Sequence, residues 1–482
     1  MNRFYITTSI PYVNADPHIG FTLELMQGDA LARWHRQQGH EVRFHTGTDE
    51  NALKNVQAAE SAGTPVGDFV AAHAERFRDL CKVMNASNDD FIRTTEARHV
   101  EGARAFWQAL DPQDLYRKEY AGWYCVGCES FVTEKDLVNG ECAIHKKKPE
   151  QVTENNYFFR LSKYQDQLLA LIESGKLAII PDFRKNEVLQ FIRQGLEDIS
   201  ISRSEARARN WGVRVPGDET QVMYVWTDAL TNYITSLGYG SEDETLFQQW
   251  WTDADTTNMV GKDITRFHAV YWPAFLLSAK LPIPKRVFVH GFITSGGQKM
   301  SKSLGNTVSP FAYGEEFGVD ALRYYLLREI PTLDDGDFTR AQFLARYHAD
   351  LANGLGNLVQ RVTAMVEKYL AGEVARVAGK EELIKKVDTC MGRFRIDEAL
   401  AVIWEAIGDC DKQIEVQKPW AMAKDPAQQN NLMVLLSTLV AEIQAIGEAL
   451  KPFIPQTAER ILEVVNAKKI TPPEKPLFPR KD

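Results

Sequence analysis

The first fifty residues alternate strand, helix and strand, and that alternation restricts the class of fold more than any other feature of the chain. Residues 3–10 (RFYITTSI) are rich in aromatic and β-branched types, which suit a strand. A Pro-containing loop follows, PYVNADPHIG. After it, FTLELMQGDALARWHRQQG carries apolar residues at Leu23, Met26, Ala30, Leu31 and Trp34, which is helical spacing. Gly39 suits the end of that helix. EVRFHTG predicts a second strand and ENALKNVQAAESAG a second helix. A βαβ unit of this kind predicts an α/β fold built on a Rossmann-like parallel sheet, with ligands at the C-terminal ends of the strands. The runs QVMYVW (221–226), TTNMVG (256–261) and RVFVHGFI (286–293) predict further strands of it. Residues 341–466 are helical in pattern almost throughout. The tail KKITPPEKPLFPRKD, rich in Pro and Lys, reads as extended or loosely docked.

A net charge of −9 argues against a general polyanion binder, yet a local basic face on an acidic protein can still contact phosphates. There is no run of 18 uninterrupted apolar residues, so no membrane span is expected. The start, MNRFYITTSI, lacks the basic and apolar regions of a secretory signal. Together these predict a cytoplasmic protein with no membrane partner.

Two short motifs point to phosphate chemistry. Pro17-His18-Ile19-Gly20 lies on the turn from first strand to first helix, where an anion would meet helix amides. Gly20 lets a base or phosphate approach the backbone, and His18 can donate to an oxygen as charge develops there. By itself the tetrapeptide also fits an ordinary turn. Residues 299–303 read KMSKS, preceded by Ser295-Gly296-Gly297 and followed by Leu304-Gly305-Asn306. Lys299 and Lys302 put two cations on a short glycine-bounded loop able to close over a triphosphate. By itself this pentapeptide also fits an exposed basic turn. A third motif is independent of both. Cys125-x2-Cys128, then 13 residues, then Cys142-x2-His145 has the spacing of a tetrahedral structural zinc site, one ion per chain. Three of the six cysteines fall in that window, which favours metal over disulfides in a reducing compartment.

With PHIG after the first strand and KMSKS far downstream, the chain resembles the class I aminoacyl-tRNA synthetases, whose signatures are HIGH and KMSKS. Phe21 stands where that class usually has its second His. The resemblance narrows to the methionyl-tRNA synthetases through TTSIPYVNADPHIG (7–20), TGTDENALK (46–54), YVWTDALTNYI (224–234), GKDITRFHAVYWPAF (261–275), HGFITSGGQKMSKSLGN (290–306) and DALRYYLLREIP (320–331), which together span the chain in order. It implies ATP-dependent ligation of L-methionine to tRNA(Met) through methionyl-adenylate, with release of AMP and pyrophosphate. It also implies an organisation into a first catalytic half (1–114), a connective insertion with the zinc knuckle (115–210), a second catalytic half with the KMSKS loop (211–340) and a helical anticodon-binding bundle (341–482).

The same resemblance assigns residues. His18, Lys299 and Lys302 would be catalytic. ATP, accompanied by Mg2+, would be held by these three with Gly20, Gly261 and Asp263. Methionine, a flexible side chain with a polarizable sulfur, would be gripped by Ile10, Tyr12, Trp226, Leu230, Tyr233, Ile264 and His268, flanked by Trp272. Asp49 would pair with its ammonium. Leu230 stands where the family often has Pro. Ile264 and His268, four apart, share a helix face, so His268 could reach the Tyr12 hydroxyl or the sulfur. Asn353, Asn357 and Arg361 recur every four residues, and with Trp420 they occupy the positions that read the anticodon in the family. Asp411 stands where the family often has Asn. No alternating strands follow the helical region to build the tRNA-binding, dimerising β-barrel of some relatives, so a monomer is expected. Two rivals are a synthetase for another large apolar amino acid, which would want a larger editing insertion, and a non-catalytic RNA-binding derivative, which Phe21 favours.

Overall fold

The computed structural model describes residues 2–126, 130–132, 137–143, 146–300, 306–375, 377 and 381–481. The chain forms two compact units: residues 1–17, 39–82 and 87–290 in one, and 18–38, 83–86 and 291–482 in the other.

The first unit is built on a six-stranded sheet. Its strands are β1 (Arg3–Thr7), β2 (Glu41–Thr48), β3 (Asp90–Arg93), β4 (Ala178–Ile180), β5 (Asp255–Gly261) and β6 (Arg286–His290). They lie in the order β3-β2-β1-β5-β6-β4, and every pairing is parallel. Phe4, Tyr5 and Ile6 on β1 and Val287, Phe288 and Val289 on β6 are all buried. Successive residues point to opposite faces of a strand, so runs like these require a sheet covered on both sides. The order reverses at β1, which pairs with β2 on one side and β5 on the other; Thr7 stands opposite His45 and Asn258. Such a reversal opens a crevice beyond the strands' carboxyl ends. Hydrogen bonds from Asn258 Nδ2 to Thr7 Oγ1 (2.8 Å) and from Thr8 Oγ1 to Thr46 Oγ1 (2.7 Å) pin the three central strands there.

Three sequence expectations change in this unit. QVMYVW does not continue the parallel sheet. Asp218–Met223 is instead the middle strand of a small antiparallel sheet with Ser202–Ser204 and Arg214–Val215, and Val225–Ala229 is already helical. A short apolar run does not by itself distinguish a strand from a buried helical turn. The edge strand β4 lies in a segment grouped by sequence with the insertion. Within that segment, the mixed helices and loops expected after the Cys-rich stretch begin with a long antiparallel pair. Leu115–Cys125 runs against Glu150–Phe159, in register from Leu115 opposite Phe159 to Tyr124 opposite Glu150. Arg117, Lys118 and Glu119 are exposed in succession, so hydrophobic alternation is weak where the pair is longest.

The second unit is mostly helical. Its elements include α1 (Ile19–Gln37), α2 (Val319–Arg328), α3 (Ile396–Gln417) and α4 (Gln429–Leu450). Leu400, Ile403 and Ile407 on α3 and Leu432, Leu436, Leu439, Ile443 and Ile446 on α4 are buried, the spacing that lines one face of a helix. The stretch Pro426–Leu450 reaches a mean hydropathy of 1.5 and is long enough to cross a membrane; 72% of that window is buried inside the fold, as in a core helix. The tail is held more specifically than its composition suggests. Leu477 and Phe478 are buried, Tyr347 Oη donates to Pro479 O (2.6 Å), and Arg460 Nη2 donates to Lys475 O (3.1 Å) and Pro476 O (3.3 Å).

Candidate active site

In the second unit, α1 starts at His18, whose backbone is extended (φ −122, ψ 173). Its Nδ1 accepts the Gly20 N–H at 3.0 Å, the bond expected of an N-cap. In the neutral ring the proton then sits on Nε2, which makes that atom the donor. Gly20 is required by this arrangement. A Cβ there would lie 2.8 Å from His18 Cε1 and 3.0 Å from Nδ1. The KMSKS region lies against the same helix start. Ile19 N donates to Val308 O (3.1 Å), just downstream of the motif. Upstream, Ile293–Ser295 and Gln298–Lys299 form a hairpin turning at Gly296 (φ 62) and Gly297 (φ 73). Asp337 anchors it, accepting from Thr294 Oγ1 (2.6 Å) and Gly297 N (2.8 Å). Ile293 Cγ2 is 3.6 Å from where a Gly20 Cβ would stand. Both flanks of KMSKS are thus brought to the PHIG turn. The Lys299 side chain and residues 301–305, Lys302 among them, lie outside the described residues.

In the first unit, the residues that the sequence resemblance assigns to a methionine ligand lie beyond the switch point. Asp49, at the end of β2, is 2% exposed and forms a parallel bridge with Tyr12. Its N–H donates to Pro11 O (2.9 Å), and its Oδ1 accepts from Asn51 N (3.1 Å). Ile10 and Tyr12 follow β1, half-buried. Tyr12 meets Trp226 edge-on with centroids 6.5 Å apart, and Lys54 Nζ lies 3.8 Å from the Tyr12 ring centroid. Leu230 and Tyr233 are buried on the segment that carries Trp226. His268 Nε2 shares a hydrogen bond with Tyr233 Oη (2.7 Å), while its Nδ1 donates to Ile264 O (3.0 Å). That pairing gives Nε2 the acceptor role and Tyr233 the donor role. Trp272, fully buried, packs near Tyr233 at 6.4 Å between centroids. Gly261 closes β5, and Asp263 is exposed on the turn after it.

Phe267 was missed from sequence. Its ring stacks on Trp226 at 3.8 Å and 7°. The stretch Phe267–Tyr271 is a π-helical turn, wider than an α-helix, and it brings both Phe267 and His268 to Trp226, the latter at 6.3 Å. The aromatic run RFHAVYW was the available signal, but α-helical spacing sends its neighbours to different faces.

On the helical surface, Asn353 and Asn357 are exposed, and Asn353 Oδ1 accepts from Arg480 Nη2 (3.1 Å). Pro419 opens the short helix Pro419–Met422 as expected, leaving Trp420 37% exposed. The Arg361 guanidinium lies 5.5 Å from the Trp420 ring and pairs with Glu415 at 2.6 Å. Burial holds the Asp411 carboxyl above its usual range, and the nearby Arg361 opposes that shift. Of the four candidate positions, Arg361 thus lies against Trp420 and pairs with Glu415, and Asn353 contacts the tail.

Of the metal motif, Cys125 and Cys142 are buried together in a small cluster with Val132, against Leu137. Cys142 begins a tight turn in which Lys146 N donates to Cys142 O (2.8 Å) and Cys142 N to Lys147 O (2.9 Å), with Lys146 at φ 48. Cys128 and His145 lie outside the described residues, and among the described residues no group of three or more metal-ligating side chains gathers.

Known proteins share the sequence pattern and the fold of this chain. The family described as tRNA synthetases class I (M) matches residues 4–142 and 132–363, and the family described as the anticodon-binding domain of tRNA ligase matches 377–479. Methionine--tRNA ligase of Brucella suis biovar 1 (strain 1330) is 42% identical over 480 residues, 96% of this chain and 92% of that one. The Thermotoga maritima protein of the same name is also 42% identical, over 96% of this chain and 75% of its own. Mycobacterium tuberculosis methionyl-tRNA synthetase in complex with methionyl-adenylate superposes with a TM-score of 0.92 at 39% identity, covering 100% of both chains. The free form of that enzyme gives 0.83 at 36% identity.

Proposed function

The chain belongs to the class I tRNA synthetases of the methionine type, and from that premise we propose how its own residues carry out ATP-dependent ligation of methionine to tRNA. The reaction has two steps. The methionine carboxylate attacks the α-phosphate of ATP in line, forming methionyl-adenylate and expelling pyrophosphate. A ribose hydroxyl at the end of tRNA then attacks the adenylate carbonyl and expels AMP. The contribution of the protein is positioning and electrostatics, as expected for phosphoryl chemistry. His18 donates from Nε2 to phosphate oxygens. Lys299 and Lys302 neutralise the departing pyrophosphate, whose charge Mg2+ shares. Asp49 takes the methionine ammonium, because a buried ammonium needs a carboxylate partner. Trp226, stacked on Phe267, with Tyr12, Ile10, Leu230, Tyr233 and Ile264 enclose the thioether. The His268–Tyr233 pair fixes the polar side of that enclosure, and Gly261 and Asp263 serve the ATP ribose. The observation that carries this reading is the hydrogen bond from Ile19 N to Val308 O, which seats the downstream flank of KMSKS on the PHIG turn.

The assay is amino-acid-dependent exchange of pyrophosphate into ATP, run over all twenty amino acids. Methionine alone should support it, and Lys302→Ala should slow it by about two to three orders of magnitude with methionine binding nearly unchanged. Exchange driven by a different amino acid, or an undiminished Lys302→Ala rate, would sink the reading.

The zinc reading rests on the donor set. Cys125 and Cys142 are buried together at the closed end of the long antiparallel pair, and in the sequence each begins a Cys-x2-ligand motif with Cys128 or His145. Four protein donors suit a structural ion, which would cross-link that turn region. Metal analysis of the purified protein should find one zinc per chain, and Cys142→Ser should lose it; a metal-free protein with normal stability would contradict the assignment. The helical region reads the anticodon through Asn353, Asn357, Arg361 and Trp420, with Arg361 exchanging Glu415 for RNA. We place the enzyme in the cytoplasm as a monomer.

A further inference from the structure

The segment Val225–Ser236, which carries Trp226, Leu230 and Tyr233, is gripped by three buried imidazoles from three separate parts of the chain. His268 meets Tyr233 Oη at 2.7 Å, and His45 Nε2 meets Asn232 Oδ1 at 2.8 Å. His99, on the helix Ala97–Ala109, reaches Asp228 Oδ1 through Nε2 (2.7 Å) and Thr235 Oγ1 through Nδ1 (2.9 Å). His99 is fully buried and Asp228 is 1% exposed. The second Asp228 oxygen accepts from Asn51 Nδ2 at 2.7 Å, and the Asn51 N–H in turn donates to Asp49 Oδ1 at 3.1 Å. A continuous chain of hydrogen bonds therefore runs from Asp49 through Asn51, Asp228 and His99 to Thr235. One end holds the carboxylate read above as the partner of the ammonium. The other holds the helical segment that bears the aromatic wall of the thioether site.

We propose that Asp228 and His99 are positioning residues for methionine: through Asn51 they fix the separation between Asp49 and the Trp226 segment. This rests on the assignment of Asp49 and Trp226 to the methionine site. A buried carboxylate without partners would be unfavourable, so the network has a reason to be fully bonded, and both Asp228 oxygens are. Neither residue is asked to touch substrate. Their effect is on distance, where a misplacement of about 1 Å costs on the order of a hundredfold in rate.

The experiment measures pyrophosphate exchange with methionine and ATP varied separately. Asp228→Ala and His99→Ala should raise KM for methionine roughly tenfold or more, leave KM for ATP within about twofold, and lower kcat less than kcat/KM. Asp228→Asn should stay within a few-fold of the parent enzyme. Its amide can donate to His99 Nε2 and accept from Asn51, provided His99 moves its proton to Nδ1 and gives it to Thr235. A merely structural role would reduce the active fraction, with both KM values unchanged in what remains. Should the alanine variants fail to fold, Asn51→Ala cuts the chain at a half-buried link and leaves His99 and Asp228 bonded. An unchanged KM for methionine in a folded Asp228→Ala or Asn51→Ala enzyme overturns the proposal, as does an Asp228→Asn enzyme no better than Asp228→Ala. An unchanged KM for methionine in folded Asp49→Ala and Trp226→Ala enzymes would instead overturn the underlying assignment.

Discussion

Arg323→Ala is expected to remove about 3–5 kcal/mol from the stability of the second unit, the largest loss foreseen for any single replacement there. Arg323 lies on α2, is fully buried, and spends its guanidinium on three separate stretches of chain. Nε donates to Phe453 O (2.7 Å), and Nη1 to Met84 O (3.1 Å) and Met26 Sδ (3.1 Å). Nη2 donates to Asp29 Oδ2 (2.6 Å) and Pro452 O (3.3 Å). Asp29, also fully buried on α1, is shared with Arg33 Nε at 2.7 Å. Removing Arg323 leaves three buried carbonyls with one acceptor bond fewer and halves the cationic support of a buried carboxylate. It also opens a cavity the size of the side chain, which adds to the loss. A partly polar replacement cannot restore the fork geometry, so Arg323→Lys should recover only a minor share. Denaturant unfolding followed by helical circular dichroism would report the change. A midpoint within error of the parent protein would mean that the hub is not holding these stretches together.

That hub also shows where sequence reasoning runs out. In DALRYYLLREIP the arginine reads as a polar position on an amphipathic helix, and nothing local says that it is fully buried. Its partners come from residues near 26, 84 and 453, and side-chain convergence over such separations has no periodic signature. Four of the six parallel strands, β1, β2, β5 and β6, were readable for the opposite reason. RFYIT, TTNMVG and RVFVH are apolar or β-branched on both faces because both faces are buried, so composition alone carries the signal. β3 and β4 escaped because DFIR and AII are only four and three residues long, and the Leu115–Cys125 strand because its exposed stretch is charged. For the proposed site, Tyr12, Asp49, Trp226, Tyr233 and His268 came from family resemblance, and all five lie in the first unit. Phe267 needed the π-helical turn, and the Asn51–Asp228–His99 chain needed the fold, because neither spacing follows a regular helix or strand.

Gly20→Ala should abolish nearly all methionine-dependent pyrophosphate exchange, by about two to three orders of magnitude, while leaving the unfolding midpoint almost where it was. The cause is steric. The new Cβ would stand 2.8 Å from His18 Cε1, closer than a Cβ atom approaches another carbon, and 3.0 Å from Nδ1, a tight contact. The backbone there belongs to the first turn of α1, which alanine accepts readily, so the helix keeps its place and the imidazole must move. Turning the ring away breaks the 3.0 Å bond from Gly20 N and with it the constraint that puts the proton on Nε2. The result is an enzyme with His18 present but misdirected, and its rate should approach that of His18→Ala. The stability loss should be small, on the order of 1 kcal/mol for a lost cap, partly offset by the better helix former. Methionine affinity should be little changed, since Ile10, Tyr12, Asp49 and Trp226 are untouched. A Gly20→Ala enzyme that keeps most of the parent exchange rate would show that the His18 ring does not need its cap geometry to act, and the role given to that histidine would fall with it.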